Sequence, residues 1–113
     1  MKQIGYELTG PIGARATLGL VVLQADETLE QDFRRLFPDR GIAIYTSRIA
    51  SGDELSTGSI AAMEAELARG AGLLPRAARF DAVAYGCTSG TTLIGADAVA
   101  GMLRQGVETP VVT

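Results

Sequence analysis

With 113 residues, 47% of them apolar, the chain is long enough for one compact domain with its own core and too short for two. A formal charge of −3, with nine arginines and one lysine scattered rather than clustered, gives no basic face, which excludes nucleic acid as an expected partner. No apolar run reaches the roughly 20 residues of a membrane span, the N-terminus has no signal-peptide core, and one cysteine without any histidine offers neither a disulfide nor soft metal ligands; a cytoplasmic, metal-free protein is expected.

After a glycine-punctuated lead-in, "LGLVVL" (Leu18 to Leu23) is a continuous apolar run, the pattern of a central parallel strand covered on both faces. "DETLEQDFRRLF" reads as an amphipathic helix, with Leu29, Phe33, Leu36 and Phe37 at helical spacing, acidic residues early, arginines late and "PDRG" as its stop. "IAIYTSRI" (Ile42 to Ile49) is the second strand. A polar loop leads to a helix starting near Ser56 or Thr57, with Ile60, Met63, Leu67 and Leu74 as its apolar stripe. "FDAVAYGC" is a third strand, "TTLIGADAVAGMLRQG" one small-residue helix ending at Gly106, and "TPVVT" the start of a fourth strand. The order β-α-β-α-β-α-β with short turns predicts an α/β fold, a four-stranded parallel doubly wound sheet with helices on both faces.

Ligands of such sheets bind beyond the carboxyl ends of the strands, where loops diverge and helix N-termini present unpaired N–H groups. Three loops qualify: "QADET", "SRIASGDELS" and "GCTSGTT". In the last, Cys87 ends a strand and the amides of Thr88, Ser89 and Gly90 follow it into a helix, a setting that favours a thiolate and gathers donors for a carboxylate. A lone cysteine also serves as a small buried hydrophobe; the flanking hydroxyls favour the anion.

"GCTSG" after an apolar strand, together with "GLVVLQADETLEQDF" and "YTSRI" at this spacing, resembles the aspartate/glutamate racemase superfamily, nearest its maleate isomerase and arylmalonate decarboxylase branch. The resemblance spans Leu18 to Thr113. It implies a two-lobed fold with the active site between lobes, of which this sequence matches the N-terminal one. Residues 1–17 are then a lead-in, and residues 18–113 one lobe cut short at its C-terminal end, inactive by itself. By resemblance, Cys87 matches a nucleophile in the isomerases and an acid/base in the racemases, and Thr88 and Ser89 match the pair that binds a substrate carboxylate. Decarboxylases of the branch typically carry glycine where this chain has Cys87, which argues against decarboxylation. No cofactor is implied.

Maleate isomerases generally read like "PSSN" after the first strand, whereas this chain reads "LQAD", aligning Asp26 with their carboxylate-binding asparagine. An ionised Asp26 repels a dicarboxylate, so the alternative is a cationic partner such as an amino acid ammonium, as in glutamate racemase-like proteins. Asp26 is also a good N-cap before "ETLEQD". Arg48 can pair with a substrate carboxylate or lock the neighbouring loop, and Gln24 can donate to substrate or satisfy local backbone. Tyr85, inside the strand, reads as packing.

The expected function is therefore a cofactor-independent isomerase of a small carboxylic acid. Amino acid racemase and a non-catalytic, carboxylate-binding fragment are the alternatives. The missing lobe would leave an apolar face, so a homo-oligomer is expected, with Cys87 residues of two copies facing each other.

Overall fold

The computed structural model describes residues 1–50 and 59–113. Its elements run β1 (Ala16–Leu23), α1 (Leu29–Leu36), β2 (Ile42–Ile49), α2 (Ser59–Gly72), β3 (Ala82–Tyr85), α3 (Thr88–Ile94), α4 (Ala96–Arg104) and β4 (Val111–Val112). The strands form one parallel sheet in the order β2-β1-β3-β4. The expected α/β fold is thus present.

The apolar runs become strands because alternate side chains find cover on opposite faces. Val21 of β1 joins Ile49, Val83 and Tyr85 in a core closed by Leu67, Ala71 and Leu74 from the α2 region and by Val99, Met102 and Leu103 of α4. Leu20 and Val22, pointing the other way, are buried as well, at 1% and 0% exposure. Gly86, just beyond β3, lies against Val22 and against Leu29 of α1, so α1 covers the second face. Truncating a fully buried leucine such as Leu67 or Leu103 would cost about 2–5 kcal/mol.

Several boundaries differ from the sequence expectation. β1 begins at Ala16 rather than Leu18, because the Thr17 N–H donates to Asp81 Oδ2 at 2.8 Å and the Ala16 N–H to the Gly41 carbonyl at 3.3 Å. β3 is only four residues long and stops at Tyr85, before Gly86 and Cys87. The helix expected from Thr91 to Gly106 is two helices. Gly95, at φ +101°, breaks it in a conformation that L side chains rarely adopt, and its N–H closes α3 by donating to the Thr91 carbonyl at 2.8 Å.

The stripe on α1 is only partly covered: Leu29 and Phe33 are half-buried, whereas Leu36 is 70% exposed and Phe37, whose ring packs 5.9 Å from Phe33, is also exposed. Leu67 and Leu74 of the α2 stripe are buried, while the side chains of Ile60 and Met63 and the helix start expected near Ser56 or Thr57 lie outside the described residues. Residues 1–10 carry no regular structure and are exposed. Among the described residues no helix is long and apolar enough to cross a membrane.

The strand order positions the site. From β1 the chain steps to β2 on one side, then crosses to β3 on the other, so the β1–α1 and β3–α3 turns leave adjacent strands toward opposite faces. The crevice between such turns is where open α/β sheets bind ligands.

Candidate functional site

Cys87 sits at this crevice. Its backbone is extended (φ −147°, ψ 99°), and it caps α3: the Gly90 N–H donates to Sγ at 3.4 Å, while the Thr91 N–H donates to the Cys87 carbonyl at 3.0 Å as the first helical bond. A cysteine occupies the position normally held by Ser, Thr, Asp or Asn. Ser89 Oγ lies 3.7 Å from Sγ, close enough for a weak hydrogen bond in either direction.

A cavity of about 260 Å³ opens beside the thiol, lined by Leu29, Tyr85, Gly86, Cys87, Thr88 and three further threonines, Thr91, Thr92 and Thr113. Leu29 arrives because Gly86 has no side chain: a Cβ there would lie 2.3 Å from Leu29 Cδ1. Two hydroxyls on the lining, Tyr85 Oη and Thr91 Oγ1, are buried without a hydrogen-bond partner. Buried polar groups are normally paired, so each marks capacity for a ligand, a water or a moving neighbour. Burial, and then the adjacent Cys87, push the Tyr85 phenol well above its usual range and hold it protonated as a donor.

A larger cavity, about 520 Å³, lies at the opposite edge of the sheet among Arg15, Thr17, Tyr45, Arg79 and Asp81. It gathers no thiol, and it faces the amino ends of the strands, where the sheet offers neither diverging turns nor helix N-termini.

The other expected site residues belong to the β1–α1 turn. Asp26 Oδ1 accepts from the N–H groups of Thr28 at 3.0 Å and Leu29 at 2.9 Å, so its carboxylate caps α1. Arg48 reaches across from β2: its Nη1 donates to the carbonyls of Leu23 at 3.0 Å, Gln24 at 3.5 Å and Asp26 at 2.7 Å, and its Nη2 pairs with Glu30 at 3.3 Å. The guanidinium thus latches this turn to the edge strand. Gln24 is exposed, and its N–H donates to the Ile49 carbonyl at 2.7 Å. Cys87, Thr88 and Ser89 are together; Gln24, Asp26 and Arg48 do not line the cavity beside the thiol. The loop after β2 lies largely outside the described residues.

Sequence reasoning read Tyr85 as packing only, counted Gly90 for its amide alone, and did not single out Thr91. Tyr85 and Thr91 line the cavity, and a Cβ on Gly90 would lie 3.0 Å from Tyr85 Oη and 3.2 Å from Cys87 Sγ. The available signal was spacing: Gly90 and Thr91 stand three and four residues after Cys87, on the same helix face.

The fold that carries this site recurs in a known enzyme. The structure superimposes on the crystal structure of the maleate isomerase Iso from Pseudomonas putida S16 with a TM-score of 0.63, at 20% sequence identity, over 87% of this chain and 44% of that one. The chain shares its fold with a maleate isomerase. It spans less than half of that protein's length, as one lobe of a two-lobed maleate isomerase would. No protein-family model and no curated protein matches the sequence.

Proposed function

We propose that Cys87 is the nucleophile of a cofactor-independent isomerase acting on a small unsaturated carboxylic acid, as a maleate isomerase does. The observation that carries this reading is the place of Cys87. It lies two residues beyond β3 at the switch point of a maleate isomerase-like sheet, caps a helix, and borders a cavity ringed by hydroxyls. The Cys87 thiolate adds to one alkene carbon, forming a C–S bond and placing the electron pair on the neighbouring carbon, whose carboxylate takes up the charge. The former double bond turns as a single bond, and the electron pair returns to expel the thiolate and leave the trans acid. Thr88 and Ser89, with the amides that precede the first helical bond of α3, anchor the carboxylate and stabilise the developing charge.

The chain holds no second cysteine and no histidine. A second cysteine facing Cys87 across the substrate would therefore come from outside these 113 residues, either from further chain or from a second copy. Sedimentation distinguishes the two: a concentration-dependent dimer supports the second copy, and a monomer at micromolar concentration overturns it.

The function is tested by incubating maleate with the protein and following fumarate. Turnover that disappears in Cys87→Ser supports the reading, and turnover that survives this change overturns it. Exchange of solvent deuterium into the α-position of an amino acid, without fumarate formation, would instead assign Cys87 the proton-transfer role of a racemase. Protection of Cys87 from alkylation by maleate without either reaction would leave a carboxylate-binding module.

A further inference from the structure

The Cys87 cavity contains a polar group whose chemistry is not used by the addition step above. Tyr85 is 3% exposed, its ring belongs to the core with Val99, Met102 and Leu103, and its Oη has no hydrogen-bond partner. A phenol buried this deeply ordinarily finds an acceptor, because leaving the O–H unpaired costs about 1–3 kcal/mol. The hydroxyl lies near the thiol: the point where a Gly90 Cβ would stand is 3.0 Å from Oη and 3.2 Å from Sγ, and that buried glycine, lacking a side chain, leaves the space beside both atoms free.

We infer that Tyr85 is a positioning residue for Cys87, its hydroxyl held in reserve as a donor to the sulfur when the thiol ionises. The inference rests on Cys87 being the reactive group, and goes beyond it in naming what steadies the thiolate. A neutral thiol is a weak acceptor and attracts the phenol little, which accounts for the orphaned Oη. A thiolate is a strong acceptor. The phenol donates without losing its proton, since burial and the neighbouring sulfur both oppose its ionisation. Gly90 N–H approaches the sulfur from α3 and Ser89 Oγ from the turn, so Tyr85 adds a third donor from β3. The titratable side chains lining the cavity among the described residues are Tyr85 and Cys87 alone; α1 contributes Leu29, and α3 contributes Thr88, Thr91 and Thr92.

The test is the rate of Cys87 alkylation by iodoacetamide as a function of pH. Tyr85→Phe keeps the ring and removes only the hydroxyl. Its curve should move to higher pH, with the rate at pH 7 roughly three- to tenfold lower. Tyr45→Phe, whose ring stands edge-on to Phe80 and lines no part of this cavity, should leave the curve unchanged. An unshifted curve in folded Tyr85→Phe overturns the inference. A second measurement needs no variant of the tyrosine: with ring-13C tyrosine, the Tyr85 resonance should move as the thiol titrates, and the movement should vanish in Cys87→Ala. A resonance indifferent to the thiol overturns the inference equally. Neither readout requires turnover, so absence of isomerase activity in an assembled two-lobed or dimeric protein would defeat the proposed function while leaving these curves to decide the role of Tyr85.

Discussion

In the β1–α1 turn the Asp26 carboxylate accepts from two amides and Arg48 donates to three carbonyls, whereas in the β3–α3 turn the hydroxyls of Tyr85 and Thr91 are buried with no partner at all. Both turns leave neighbouring strands at the same edge of the sheet and both are rich in polar groups. The difference lies in what the groups face. The first turn closes upon itself and acts as a fixed wall. The second leaves donors directed at the thiol and the cavity, and unmatched donors are what a carboxylate or a thiolate can use.

The comparison breaks most readily at Gly90. Gly90→Ala puts a methyl within 3.0 Å of Tyr85 Oη and 3.2 Å of Cys87 Sγ. We expect a loss of about 2 kcal/mol in denaturant unfolding, together with slower alkylation of Cys87, as the thiol or the phenol is pushed aside. A fully stable Gly90→Ala would mean that the space between the two groups is not tightly held.

Next in size is the pH dependence of Tyr85. The folded-state phenol titrates above its unfolded value of about 10, so above that pH the unfolded chain releases a proton that the folded chain retains. Stability is therefore full below pH 10 and falls as pH rises, by at most about 1.4 kcal/mol per pH unit from this group. Urea unfolding between pH 9 and 11 should show this decline, and Tyr85→Phe should be flatter over the same range.

Smaller effects sharpen the other side of the comparison. Asp26→Ala removes the acceptor for two amides and should cost about 1 kcal/mol, a fall of several degrees in Tm, while Cys87 alkylation stays unchanged. A change in thiol reactivity without loss of stability would move Asp26 from the wall into the site. Ser89→Ala, at an exposed position, should change stability by less than about 0.5 kcal/mol yet weaken the protection of Cys87 by maleate. Equal protection in that variant would leave carboxylate anchoring to Thr88 and the backbone.

Much of the scaffold was legible because periodicity and turn chemistry act locally. Leu18 to Leu23 reads as a doubly covered strand, and its neighbours in the structure cover both faces. The break at Gly95 was less legible, since a glycine among small helix formers is tolerated as often as it terminates. Its meaning depends on a positive φ that sequence does not reveal, although Asp97 in the first turn of α4 is the acidic residue a new helix start favours. Tyr85, within the strand beside the thiol, reads as packing, and its ring does lie in the core. That reading is silent on the hydroxyl, because a period of two assigns a side chain to a face and says nothing of what its tip meets.

The sequence by itself determined the alternation of strands and helices, the parallel sheet this order requires, and the place of Cys87 in the turn between a strand and a helix, because these follow from local patterning and short connections. The tertiary structure alone decided the strand order β2-β1-β3-β4, the commitment of Asp26 and Arg48 to the backbone of one turn, and the placing of Tyr85 Oη near the thiol. Each of these last depends on which distant segments become neighbours when the core closes, a property of three-dimensional packing rather than of any stretch of chain.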